Sequence, residues 1–449
     1  MEKKAFRSRQ SANAVAALAL MGSIAVGLIY AGEQQASHQA GPWLVAAAQA
    51  QSSRSAAVSK SSPGDRPIRI NRTPIRTIKD DGAVFTAVAV DPVRDEIVLQ
   101  DEANQRIYAY NRLDNTPAAA RMTEPKRTIG GNNTKIADNC GIYVDPRSGD
   151  IYSITGDTSD NMLVFTHEAK GNVPPVRELK TPHRMFGIAA NEETDELYIA
   201  TQWPPAVFVY RKEAEGKEAP VRILEGPNTK LAGAMGVALD TKHQGMYVGN
   251  WGATSATQEG MGYSGLPVYG EGKYRTWDLP DGLQLFFRKR MVPGSGTYTA
   301  PFIASFPIKA SGNVAPERII QGSNTHLDWP GHMYMDMDRQ ELYVANTMDH
   351  SILVFRATDS GNAAPIRAIK GDKTDISYPV GVFFDAKNQE IVVSNWGNHA
   401  ATVYRRDANG NTPPIRKIRT APEGTPSPML SHLGAMTYDS KRDEIVVDQ

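Results

Sequence analysis

The chain has 449 residues with 49 basic and 49 acidic side chains, so its formal net charge is zero. A neutral chain offers no electrostatic basis for binding nucleic acid or an anionic membrane surface. The single cysteine, Cys140, excludes an internal disulfide and every metal or haem motif that needs a cysteine pair.

The first 50 residues have the pattern of an export signal. Four basic residues within the first nine precede an apolar run at residues 14–30, and a small-residue motif at 48–50 would suit a signal peptidase. We expect an exported chain, periplasmic, cell-surface or secreted. Residues 1–50 would be either a cleaved signal peptide or a signal anchor that tethers the chain to a membrane through residues 14–30. The Ser-rich segment 51–65 has the composition of a flexible linker.

Beyond residue 65 one pattern recurs with a period of about 50 residues. Each copy has an Asp or Asn anchor followed by a turn and an aliphatic run, and the copies alternate with Pro-x-Arg markers. The anchors are Asp91, Asp145, Asn191, Asp240, Asp336, Asp385 and Asp439. The markers end at Arg76, Arg127, Arg177, Arg222, Arg318, Arg367 and Arg416. A fixed period of this length indicates stacked structural repeats.

Each copy contains four short strand-like runs, as one blade of a β-propeller does. In the clearest copy, residues 379–418, β-branched and aromatic runs alternate with turn clusters of Asn, Asp and Gly. The last copy supplies only two strands before the C-terminus, and residues 66–78 resemble outer strands without inner ones. The sequence therefore predicts an all-β, seven-bladed β-propeller over residues 66–449. The N- and C-terminal strands would share the seventh blade and close the ring.

One interval, between Asp240 and Asp336, is twice the usual length. Residues 252–300 contain no Pro-x-Arg marker and no anchor, so we interpret them as an insertion between the second and third strands of blade four. A degraded eighth blade is the alternative. Because the insertion is rich in aromatic residues, we expect a cap over the channel mouth or a partner-docking arm.

Several segments resemble NHL-repeat propellers. The resemblance is clearest in "GIYVDPRSGDIYSI" at 141–154 and "NHA" at 398–400. It covers most of residues 66–449 and implies an architecture rather than an activity. NHL propellers are commonly six-bladed, so seven blades would be a departure. Related exported propellers include sugar-lactone hydrolases, amidating lyases and binding scaffolds, and the resemblance implies that His399 closes a loop.

Large aromatic side chains concentrate at one end of the predicted blades. In a four-stranded antiparallel blade, the loop after the second strand and the segment before the first strand lie at the same end. The aromatic and histidine residues that fall there are Trp203, Trp251, Trp329, Tyr378, Trp396, His183 and His432. Exposed aromatic residues around a channel mouth indicate a ligand- or protein-binding site. Apolar plugs that pack adjacent blades would use the same residues.

Two further positions fall near the same mouth. Four residues before the anchor, six copies have Ala or Gly and one has His332, so we expect this side chain to project into the central channel as a ligand contact or as a structural plug. The residues at the ends of the second strands are Asn250, Asn346 and Asn395, which could orient a ligand or bridge blades. No cofactor is predicted. A divalent metal in the channel would need His332, His183 and His432 to converge.

The function that we expect from these patterns is binding rather than catalysis. An exported, membrane-tethered or released propeller would present its aromatic face to a protein or a small-molecule ligand. The alternative is a metal-dependent, lactonase-like hydrolase or lyase with its site at the channel mouth. Such an enzyme needs inward carboxylates, whereas the mouth positions are occupied by Asn, His and Trp.

Overall fold

The computed structural model describes residues 82–156, 159–202, 204–257, 291–427, 436–439 and 444–447. Within these residues the chain forms six four-stranded antiparallel sheets and two separate hairpins. In each sheet the strands follow one another along the chain, and the first strands of successive sheets pack together. This arrangement confirms the all-β propeller fold.

The strands of the six blades have the following bounds. Blade 1 consists of β1 (Phe85–Asp91), β2 (Glu96–Asp101), β3 (Arg106–Asn111) and β4 (Arg127–Gly130). Blade 2 consists of β5 (Asn139–Val144), β6 (Ile151–Thr155), β7 (Asn161–Phe165) and β8 (Arg177–Lys180). Blade 3 consists of β9 (Met185–Asn191), β10 (Glu196–Thr201), β11 (Ala206–Arg211) and β12 (Arg222–Glu225).

The second half of the ring repeats the same order. Blade 4 consists of β13 (Ala234–Asp240), β14 (Gly245–Asn250), β17 (Phe302–Pro307) and β18 (Arg318–Ile320), with the hairpin β15 (Ala253–Thr257) and β16 (Met291–Tyr298) between its second and third strands. Blade 5 consists of β19 (Pro330–Asp336), β20 (Glu341–Asn346), β21 (Ser351–Arg356) and β22 (Arg367–Ile369). Blade 6 consists of β23 (Pro379–Asp385), β24 (Glu390–Asn395), β25 (Ala400–Arg405) and β26 (Arg416–Arg419). Short 3-10 turns lie at Asn132–Thr134, Pro227–Thr229 and Ser323–Thr325.

Within the part of the chain that the structure describes, the ring closes with six blades, so the prediction of seven is wrong. Blade 6 packs directly against blade 1: Phe85 and Tyr110 share a buried cluster with Val392 and Val403. Five other buried clusters fill the junctions between the remaining neighbours. Six junctions for six blades account for the whole circumference.

Hydrogen bonds to backbone carbonyls also join the sixth blade to the first. The N–H of Thr116 donates to the carbonyl of Lys417 at 2.8 Å, and the hydroxyl of Thr420 donates to the carbonyl of Ala83 at 2.9 Å. Residues 66–78, which were expected to complete a seventh blade, lie outside the described residues. The last anchor, Asp439, ends β27 (Met436–Asp439), which pairs with β28 (Glu444–Val447) in a unit separate from the propeller.

Close approach of the innermost strands explains the small residue four positions before each anchor. A Cβ atom on Gly141 would lie 2.1 Å from the carbonyl oxygen of Phe186, and one on Gly236 would lie 2.2 Å from that of Gly331. Each glycine therefore faces the backbone of the next blade.

The Pro-x-Arg marker clips the outermost strand of a blade to its second strand. In blade 1 the guanidinium of Arg127 donates two hydrogen bonds of 2.7 Å to the carboxylate of Glu96 at the start of β2. The equivalent bidentate ion pairs in blades 3, 5 and 6 are Arg222–Glu196, Arg367–Glu341 and Arg416–Glu390. A planar guanidinium offers two parallel N–H donors that match the two carboxylate oxygens, whereas an ammonium group approaches them with a single nitrogen.

The Asn-rich turns between the third and fourth strands join neighbouring blades. The side-chain oxygen of Asn411 in blade 6 accepts a hydrogen bond of 2.7 Å from the N–H of Lys373. Asn172, Asn313 and Asn362 make the same contact with the preceding blades. The N–H donors, at Asn133, Asn228, Asn324 and Lys373, lie in the segments that lead from a fourth strand to the next first strand. No helix in the described part of the chain is long and apolar enough to cross a membrane.

Candidate functional site

We use the term mouth face for the end of the propeller that carries the loops after the second strands and the residues directly before the first strands. Five of the residues directly before the first strands share a left-handed backbone conformation, with φ between 45° and 65°. They are Asp138, Arg184, Gly233, Trp329 and Tyr378. Each carbonyl of this set accepts an N–H from the residue that follows the second strand of its own blade, at 2.9–3.0 Å. The first strands are innermost, so these five residues surround the channel.

An aromatic cluster spans blades 3, 4 and 5 on the mouth face. The rings of Trp251 and Trp329 are stacked, with centroids 4.2 Å apart and planes 7° from parallel. Phe186, on the first strand of blade 3, lies 6.1 Å from Trp251. All three side chains are half-buried, so each keeps part of its surface in contact with solvent. The structure therefore brings together two of the predicted tryptophans and one phenylalanine.

His332 lies in the channel behind this cluster. In blade 5 the pairing of β19 with β20 is interrupted between Pro330 and Met333, and a Cβ atom on Gly331 would lie 2.8 Å from the carbonyl of Val380. Gly331 thus makes the close approach that a glycine makes one position later in blades 2 to 4. The side chain of His332 is thereby released from the blade junction, and it lies near the backbone of Phe186 in blade 3 and of Cys140 in blade 2.

The environment of His332 favours its neutral form. Burial lowers the pKa of His332 to about 4, although the backbone groups of Phe186 and Cys140, from blades 3 and 2, act in the opposite direction. Its Nε2 atom is buried and has no hydrogen-bond partner within the described residues. A neutral imidazole with an unused nitrogen can accept a hydrogen bond or bind a metal ion.

The three predicted asparagines are parts of the framework. Asn250, Asn346 and Asn395 have 0 % exposure. Their side-chain oxygens accept hydrogen bonds of 2.7–3.0 Å from backbone N–H groups in the segments that enter their own blades. They bridge neither neighbouring blades nor the channel mouth, and we leave them out of the proposed site.

Trp396 and Tyr378 lie on the mouth face but apart from the stacked pair. Trp396 is only 8 % exposed, which places it within the blade packing. Tyr378 is half-buried and lies edge-on against His350, with ring centroids 4.2 Å apart. Burial lowers the pKa of His350, whose Nδ1 accepts a hydrogen bond from the N–H of Tyr378 at 3.2 Å. His399, expected to close a loop, is buried between the carbonyls of Ala83 and Pro426.

The remaining predicted histidines do not form a described metal site. His183 lies 2.8 Å from a carboxylate oxygen of Asp160, so it takes part in a loop contact of blade 2. Trp203 and His432 lie outside the described residues. The three-histidine arrangement of His332, His183 and His432 therefore stays an untested prediction.

The sequence reasoning missed three residues of the mouth face. Phe186 lies one position before the small residue that faces the next blade, where the pairing of β9 with β10 carries a bulge, and the repeat pattern gives no signal at that position. Arg184 and Asp138 occupy the left-handed positions, and the guanidinium of Arg184 donates to the side chain of Gln202 at 3.2 Å. Comparing the residue directly before each first strand would have found both.

No family model matches the chain. No curated protein matches it either. Among solved structures, the chain resembles hydrazine synthase from Kuenenia stuttgartiensis, with a TM-score of 0.45 and 11 % sequence identity over 76 % of this chain and 100 % of that one.

Proposed function

We propose that the chain is a binding scaffold whose mouth face receives a planar or apolar group from a protein partner or a small-molecule ligand. The observation that carries the proposal is the parallel stack of Trp251 and Trp329, whose rings remain half-exposed beside the channel. A rigid aromatic surface of this kind contributes a large contact area at little cost in conformational entropy.

The backbone supports a role for these side chains. A left-handed conformation costs a residue with a Cβ atom about 1 kcal/mol relative to glycine. Blade 4 has Gly233 at this position, so the fold accepts glycine there. Trp329 and Tyr378 occupy the same position in blades 5 and 6 despite the cost. Retaining a large aromatic residue where glycine fits is consistent with a use for its side chain.

We also propose export, on the basis of the N-terminal sequence alone. The basic start and the apolar run at 14–30 would direct the chain out of the cytoplasm, with the propeller either released or tethered by that run. N-terminal sequencing of the protein from fractionated cells tests this. We expect either a mature N-terminus near residue 51 or an intact chain in the membrane fraction. An intact chain in the cytoplasmic fraction would refute export.

The binding proposal is tested by affinity capture from an extract of the producing organism. The bait proteins are the wild type, the double variant Trp251→Ala/Trp329→Ala and the control Val176→Ala, whose side chain is 56 % exposed on the outermost part of blade 2. We expect a bound component that the wild type and V176A retain and the double variant loses. Identical recovery on all three proteins would contradict the proposal.

A further inference from the structure

Three metal-binding side chains converge where blades 1 and 2 meet on the mouth face. Glu102 follows the second strand of blade 1, and Asp138 and Cys140 lie at the start of blade 2. One carboxylate oxygen from each acid and the thiol sulfur all lie within 4.8 Å of one another. All three residues are buried, with 8 %, 2 % and 6 % exposure. The thiol of Cys140 also donates a hydrogen bond to the backbone carbonyl of Asp138 at 3.2 Å, which holds the sulfur at the start of blade 2.

The donor set selects one class of cation. Mg²⁺ and Ca²⁺ prefer oxygen ligands alone, whereas Zn²⁺ accepts thiolate, imidazole and carboxylate in one site. With Zn–O and Zn–S bonds of about 2.0–2.3 Å, donor atoms around a tetrahedral zinc lie roughly 3.3–3.8 Å apart. Donors that lie within 4.8 Å of one another reach that geometry by shortening their separations by at most about 1.5 Å.

Two polar atoms on residues next to this cluster have no hydrogen-bond partner within the described residues. The side-chain oxygen of Asn139, which lies between the two blade-2 donors and has 0 % exposure, has no hydrogen-bond partner within the described residues. The amide nitrogen of the same side chain donates to the carbonyl of Arg106, at the end of the loop that begins with Glu102. From the channel side, His332 reaches the backbone of Cys140 and leaves Nε2 without a partner. Buried polar atoms of this kind ordinarily face a ligand, an ion or water.

We propose that Glu102, Asp138 and Cys140 bind one Zn²⁺ ion, or a similar divalent cation that accepts sulfur, between blades 1 and 2. Three protein donors leave a coordination position for water or for a donor atom of a ligand. The site differs from the three-histidine arrangement considered from the sequence. It does not depend on the aromatic cluster, so either proposal can fail without the other.

The test uses the full-length chain, freed of metal with a chelator and titrated with Zn²⁺ at pH 7 in the presence of millimolar Mg²⁺. Bound zinc is measured after desalting, and Co²⁺ in place of Zn²⁺ reports a cobalt–sulfur bond by its near-ultraviolet absorption. We expect about one equivalent of zinc and a sulfur-dependent cobalt spectrum. Cys140→Ser and Asp138→Asn should each lower the zinc affinity at least about tenfold. The control Asp328→Asn, on the mouth face of blade 5, should not.

Two results would overturn the proposal. One is less than about a fifth of an equivalent of bound zinc in the wild type. The other is stoichiometric zinc binding that Cys140→Ser and Asp138→Asn leave unchanged. If either variant shows no cooperative unfolding transition and is therefore not folded, Glu102→Gln replaces it. The same loss of zinc affinity is then expected of Glu102→Gln. Trp251→Ala should bind zinc as the wild type does, which separates this site from the aromatic one.

Discussion

Trp329 combines an unfavourable backbone with a favourable side-chain contact. Its left-handed conformation, φ 54°, costs about 1 kcal/mol. Its ring gains contact with Trp251 in a parallel stack, which contributes a similar amount. The two terms nearly cancel, so the net contribution of the ring to stability comes from the apolar area that it buries, and the ring is only half-buried. Trp396, by contrast, lies within the blade packing.

Trp329→Gly should therefore change binding far more than stability. We expect the free energy of unfolding to fall by no more than about 2 kcal/mol, because relief of backbone strain offsets the lost stack and only the half-buried area of the ring is lost. Trp396→Ala, which empties a buried position, should cost about 3–5 kcal/mol. Denaturant unfolding measures both. A loss of several kcal/mol in Trp329→Gly would show that the ring is a structural plug.

The residue scale also shows what the sequence could reveal about the site. The location of Trp251 and Trp329 at one end of the blades was predictable, because the repeat shows where each loop lies. The burial of Asn395 was not, because an asparagine at a strand end looks the same whether it faces solvent or bonds to its own blade. The channel position of His332 was predicted, but for an incomplete reason: its neighbour Gly331 takes over the close approach to blade 6.

At the scale of one blade, the clip between the second and fourth strands is the main polar feature. Although burial raises the pKa of Glu96, hydrogen bonds from Arg127 and Lys126 prevail and lower it to about 2. A carboxyl group with a lowered pKa stabilises the fold above its unfolded value, near 4.5, and loses that contribution as the pH falls through 2.

Glu96→Gln should destabilise the propeller by about 2–4 kcal/mol at pH 7, because it leaves the buried Arg127 without its carboxylate. The difference from the wild type should shrink between about pH 4.5 and 2, as the wild-type carboxylate gains its proton. Urea unfolding at pH 7, 4 and 3 measures it. The control is Glu168→Gln, whose side chain is 88 % exposed. A difference independent of pH would contradict this account.

The innermost strands set a steric limit on the blade. Gly236→Ala places a Cβ atom 2.2 Å from the carbonyl oxygen of Gly331, so the backbone of blade 4 or blade 5 must move. We expect a loss of at least about 2–3 kcal/mol. The matched control is Gly245→Ala, where the nearest atom would be 3.5 Å away and we expect less than about 1 kcal/mol. Equal melting temperatures for the two variants would refute the close-approach explanation.

At the scale of the whole molecule, the repeat predicted the fold but not the number of blades. The period, the four strands per unit and the Pro-x-Arg clip are local features, and each can be read from one copy. Ring closure depends on contacts between segments more than 300 residues apart, such as Thr420 with Ala83. The copy around Asp439 has the spacing of a blade yet forms a separate hairpin. The spacing of the anchors is the same for a blade of the ring and for this separate hairpin, so it could not distinguish them.

A chain shortened to residues 80–433 should fold as a complete ring, because blade 6 already covers blade 1. We expect a single cooperative thermal transition within a few degrees of that of the full chain. The comparison is a chain that ends at residue 370, which lacks blade 6 and exposes two blade faces. Loss of cooperative unfolding in the 80–433 chain would favour a ring that needs the terminal strands.

The central claim is that the stacked tryptophans of the mouth face contact a partner, and site-specific crosslinking in the producing cells tests it most directly. A photoreactive side chain is placed at position 329 and, as the control, at position 176 on the outer edge of blade 2. The account predicts a discrete adduct from position 329 that is absent from position 176 and is lost when Trp251 is changed to Ala. No adduct at position 329, or the same adducts from both positions, would contradict it.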